Sequence, residues 1–178
     1  MRKIIFSTVF VMIAAVAAIV PVFAKDRTTM TDEHIEHIKA NCRVALATLG
    51  RIHANDAPQY INSNQIYFSV GDKLMARLNS RLTLNQYDAS DLVKTTSDYD
   101  EALKKFRMIY KAYDDTMSEL VRMDCQRTPV TFYDRVAVAR EQRAVVHDTV
   151  VELQELIAQY REQVEEFKEK HFTGASDE

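Results

Sequence analysis

From Thr31 to Phe172 apolar residues recur every three or four positions, the period of an amphipathic α-helix with one buried face. The first stretch places Ile35, Ile38, Cys42, Ala45, Leu49 and Ile52 at heptad-like spacing. Thr31 is positioned to cap it, with Asp32 and Glu33 in the first turn, where the helix dipole favours acid. The pattern stumbles at Asn55-Asp56-Ala57-Pro58 and resumes through Tyr60, Tyr67, Val70, Leu74 and Leu78. It lapses from Leu82 to Tyr87, after which Asp88 and Asp91 mark a new helix start. The next seam is strict: Leu92, Tyr99, Leu103, Phe106, Tyr110, Tyr113, Met117 and Leu120. It stops near Cys125, where Thr128-Pro129 offers a cap and a proline at the first helical position. The last seam runs through Phe132, Val136, Ala139, Arg143, Val146 and Val150, then Leu153, Ile157, Tyr160, Val164 and Phe167.

The two ends differ from this region. Arg2 and Lys3 precede a stretch, Ile4 to Val20, that is apolar except for Ser7 and Thr8. Pro21 and Val22-Phe23-Ala24 then supply a break and a processing site, the pattern of a signal peptide over residues 1–24 cleaved after Ala24. The competing reading is an uncleaved anchor, since Ile4 to Ala24 is just long enough to cross a bilayer. Both readings place the rest of the chain outside the cytoplasm, secreted or in the cell envelope. The helical region covers 31–172, and residues 173–178 form a polar, disordered tail.

Two topologies compete. A tight turn at Asn55 to Pro58 makes four helices; a kink there makes three, the first running from about residue 32 to about residue 80. Cys42 and Cys125 are the two cysteines of the chain, and an even count in an exported protein reads as a disulfide. In a three-helix hairpin arrangement they become level when the turn is centred between residues 83 and 84, inside the lapse. In the four-helix arrangement they lie tens of ångströms apart at about 1.5 Å per residue, beyond the roughly 7 Å Cα separation that a bridge tolerates. The expectation is therefore an all-α, elongated antiparallel three-helix bundle of coiled-coil character, kinked near Pro58 and stapled by Cys42–Cys125.

Composition narrows the class further. Three glycines and three prolines in 178 residues are too few for a strand-rich fold, given usual usage of roughly 12%. The formal charge is −3, and without Arg2 and Lys3 there are 21 Lys and Arg against 26 Asp and Glu, a charge of −5. Neither nucleic acid nor an anionic membrane surface is expected to attract such a chain.

Candidate chemistry is sparse. His34 and His37 lie one turn apart beside Glu33 and Glu36, but no Glu-x-x-His pair occurs that would bring further metal ligands. A disulfide would consume the thiol of Cys42, and no nucleophile elbow is present. No catalytic residue, metal or cofactor is assigned, and the chain is not expected to be an enzyme. Tyr99, Phe106, Tyr110 and Tyr113 have core spacing, their hydroxyls reaching toward the surface.

Arg143 is the one fixed charge in the last seam. The 42–125 register puts Asp56 level with residue 111, and a turn near residue 127 puts 111 level with 143. Asp56 and Arg143 then form a core polar layer near Tyr110, with Asp114 as the alternative partner. Such a layer would fix register among similar apolar seams. Alternatively Asp56 caps a helix restarting at Pro58, and Arg143 snorkels to solvent.

Leu82-Thr83-Leu84-Asn85-Gln86 is similar to the Leu-Thr-x-x-Gln signature of small periplasmic stress chaperones, present once where that family has two. The segments Lys73-Leu-Met-Ala-Arg-Leu-Asn-Ser-Arg81 and Met123-Asp-Cys-Gln, with Pro129 and Phe132-Tyr-Asp-Arg-Val136, resemble small exported helical proteins of ultra-small candidate-phylum bacteria. That resemblance covers roughly residues 42 to 170 and implies shape and address without activity. The functional expectation is an exported, non-enzymatic interaction or structural module with a protein partner. A periplasmic-type holdase chaperone is the alternative.

Overall fold

A computed structural model describes residues 30–172, so the expected signal peptide and polar tail lie outside the described residues. The described chain is helical, with no strand: α1 Asp32–Ser69, a π-helical segment Val70–Met75, α2 Ala76–Leu84, α3 Ser90–Leu120 and α4 Pro129–Phe172. The junctions of α1, the π segment and α2 stay in right-handed helical geometry, so these three make one continuous first arm. The molecule thus has three helical arms, and α1 passes through Pro58 as a single helix. Proline lacks the N–H that would bond the carbonyl of Ala54, and Ala54 is exposed, so water can take that carbonyl.

Local chemistry sets the ends. Thr31 Oγ1 accepts from the His34 amide at 3.3 Å. The first arm closes in a Schellman turn: the Tyr87 N–H bonds to the Leu82 carbonyl and the Gln86 N–H to the Thr83 carbonyl, both at 3.0 Å. Gln86 takes the left-handed position at φ 62°, which glycine usually fills. The turn therefore occupies residues 85–89, slightly later than the register of the cysteines requires of two ideal helices. The register drifts steadily along the arms, from Asn79–Thr96 through Asn64–Arg107 and Asp56–Tyr113 to Cys42–Cys125, and this drift closes the difference. Asp88 accepts from the Ser90 amide at 3.1 Å to open α3, which holds its carboxyl below the usual range. Asp124 Oδ1 accepts from the amides of Gln126 and Arg127, shaping the turn that seats Cys125.

All eight residues of the α3 seam are buried, from Leu92 to Leu120, because α3 is covered by both neighbours. Two hydrophobic clusters follow its length: one around Tyr99, Leu103, Phe106, Leu153 and Tyr160, the other around Tyr113, Met117, Leu120 and Phe132. Contacts between the first arm and α3 run in opposite chain directions, from Cys42–Cys125 through Asp56–Tyr113 and Asn64–Arg107 to Asn79–Thr96. The two cysteines are joined, with Cα atoms 5.7 Å apart.

The π segment changes which face of the first arm is buried. An ideal continuation of the seam buries Leu74 and Leu78; instead Gly71, Met75, Asn79 and Leu82 are buried and Leu74 is 63% exposed. One extra residue per turn rotates everything after it by about one position. A Cβ on Gly71 would lie 3.1 Å from the Tyr99 ring, so glycine permits this close approach. The Tyr99 hydroxyl then donates to the Tyr67 carbonyl at 2.9 Å.

Candidate functional site

α1 and α4 both pack on α3 but close poorly on each other, whereas the rest of the first arm meets α4 through Tyr160. Of the 38 residues of α1, Cys42 alone is buried, against twelve on α3. The result is an open cleft between the first arm and α4. At the disulfide end it is an apolar groove of about 550 Å³, with Ile38, Leu49 and Ile52 facing Phe132 and Val136 over Met117. Toward the middle it continues into a cavity of about 600 Å³ over Tyr60, Phe106 and Tyr110. Beside α2 a further groove of about 500 Å³ lies between Val70, Leu78, Ile157 and Val164.

Asp56 and Arg143 meet where the first two spaces join. The guanidinium donates from Nε to Asp56 Oδ2 at 3.1 Å and from Nη2 to Oδ1 at 3.2 Å. The Tyr113 hydroxyl donates to the same carboxylate at 2.6 Å. Asp56 therefore accepts from two other arms, one donor being buried. Burial first, then the Asp56 carboxylate, pushes the Tyr113 hydroxyl well above the usual tyrosine range. Arg143 itself does not sit in the buried seam: its side chain is 60% exposed, against 13% for Asp56. The splay of α1 from α4 leaves the guanidinium open to water, so it both reaches across the cleft and snorkels. Asp56 caps no helix, because α1 does not restart at Pro58. Asp114, the alternative partner, instead lies 2.8 Å from His53 Nε2, a pairing that the sequence pattern did not single out. Tyr60 stacks on Tyr110 with ring centroids 3.6 Å apart. The buried Tyr110 hydroxyl has no hydrogen-bond partner among the described residues, and burial followed by the charges of Asp114 and Asp56 raises its pKa to about 12.

A second polar layer, missed by the seam analysis, lies deeper and nearer the turn. Asn79 Nδ2 donates to Thr96 Oγ1 at 2.8 Å and to the Leu92 carbonyl at 3.3 Å. The Tyr160 hydroxyl donates to Asn79 Oδ1 at 2.8 Å. This buried Asn ties all three arms together with its amide satisfied. The available signal was Asn79 itself, four residues after Met75 and three before Leu82 on an apolar face.

Among the described residues no three His, Cys, Asp or Glu side chains converge to hold a metal ion. His34 lies beside its own cap residue Thr31, and His37 beside Asn41, both exposed. The Leu82–Gln86 segment forms the end of α2 and its turn, with Leu82 buried. No described helix is long and apolar enough to cross a membrane. Comparison with family models, curated proteins and solved structures returned no match, so residues and geometry carry the functional reading.

Proposed function

We propose that the chain is an exported three-helix bundle that acts as a protein interaction module, with the cleft between the first arm and α4 as its docking face. The observation that carries this is the unequal burial of the helices: α1, with 38 residues, buries only Cys42, while apolar residues line the cleft beside it. A cysteine pair at bridging distance is consistent with an extracytoplasmic location, where disulfides persist.

The test is capture from the native cell envelope. Leu74→Glu, at an exposed cleft position, is expected to lose the partner that the wild type captures. Met108→Glu, equally exposed but outside the cleft lining, is expected to retain it. Equal capture by both variants would remove the cleft as the docking face. The holdase reading draws support from the apolar groove at the disulfide end. It predicts suppressed aggregation of unrelated unfolded proteins, with no dependence on the charged residues along the cleft.

A further inference from the structure

The groove beside α2 has a rim of one sign. Lys73, Arg77 and Arg81 project from the first arm and Arg161 from α4, and no carboxylate lines the groove. All four are exposed, and none forms an ion pair among the described residues. In a chain of formal charge −3 this is a local inversion of charge. The floor is apolar, with Val70, Leu78, Ile157 and Val164 partly buried. Lys73, Arg77 and Arg81 succeed one another at four-residue intervals, a line of about 12 Å along the arm.

We infer that this groove receives an amphipathic helix from a partner protein. Its apolar seam lies on the floor, and its acidic residues, one turn apart, face Lys73, Arg77 and Arg81. The inference rests on reading the cleft as an interaction surface and specifies what docks there. A helix repeats its side chains every turn, which matches the cation spacing; a single phosphate or carboxylate needs donors that converge, and these are strung out. A flat anionic membrane would touch the rims and leave the recessed floor uncovered.

The probe is a fluorescent helical peptide with Glu at every fourth position beside a Leu seam, and a control peptide with Lys in place of Glu. Titrated against the full chain, the acidic peptide is expected to bind at least about ten-fold tighter than the basic one and to weaken with salt. Arg77→Glu combined with Arg81→Glu should invert that preference, an outcome that unfolding cannot produce. Lys111→Glu, on α3 and outside the groove, should leave it unchanged. Equal binding of the two peptides, or an unchanged preference in the double variant, would overturn the assignment. So would pelleting with phosphatidylglycerol vesicles that depends on Arg77 and Arg81 without peptide discrimination, which would give the groove to lipid. A dimer in sedimentation that the double variant abolishes would give it to a second copy of this chain. If the wild type captures a partner through the cleft and the acidic peptide still fails, the docking face stands and the acidic-helix assignment alone falls.

Discussion

Two tyrosines one turn apart on α3 have opposite hydrogen-bond fates. Tyr113 donates to a carboxylate that is 13% exposed, whereas the Tyr110 hydroxyl is buried and unpartnered among the described residues. Removing a donor from a largely buried acceptor costs the bond and its desolvation, while removing an orphaned polar atom relieves a cost. Tyr113→Phe is therefore expected to lower unfolding stability by about 1.5–3 kcal/mol in urea, and Tyr110→Phe to leave it unchanged or raise it. Equal losses would show that ring packing, not hydrogen bonding, sets both positions. The ring positions were legible from spacing, since aromatic residues three and four apart on one face must share a core. The hydrogen bonds were partly legible: a register argument placed Asp56 and Arg143 at one level, but residue spacing does not measure how far two arms splay. Arg143 is consequently more exposed than its seam position implied, and the ion pair has the modest value of about 0–1 kcal/mol usual for open sites.

At the scale of elements, the first arm depends on its staple. Cys42 is the buried residue of α1, and its bridge to Cys125 closes a loop with a sequence separation of 83. Chain entropy for a loop of that size gives roughly 4–5 kcal/mol as an upper figure, and native bridges more often contribute about 2–4. With the bridge reduced, amide exchange should accelerate first in the N-terminal half of α1, while the buried middle of α3 keeps its protection. Uniform loss of protection across both helices would show that the arms open as one unit. The three-arm order was readable because the cysteines and the lapse after Leu82 agreed on one hairpin. The π segment was not readable, because a one-residue insertion in helical geometry leaves no break in composition. Its trace is a phase change, in which Met75, Asn79 and Leu82 take over from Leu74 and Leu78. The same shift turns Asn79 inward, where Thr96 and Tyr160 satisfy it. That buried layer is better suited than the open Asp56–Arg143 pair to fix the register of the arms.

For the whole molecule, the unclosed cleft is the feature on which the proposed function rests. A seam pattern reports that each arm has an apolar face; it does not report whether three such faces close completely. Here α3 is enclosed while α1 and α4 part along the disulfide half, so their facing edges leave grooves that are crossed at Asp56–Arg143 and closed where Tyr160 of α4 meets Met75 and Asn79. The most direct test is photo-cross-linking in native cells, with a benzophenone amino acid placed at Leu49 or Leu78 within the cleft, or at Met108 outside it. A docking cleft predicts one discrete cross-linked species from both Leu49 and Leu78 and none from Met108. Cross-links from Met108 alone, or none at any cleft position, would contradict it.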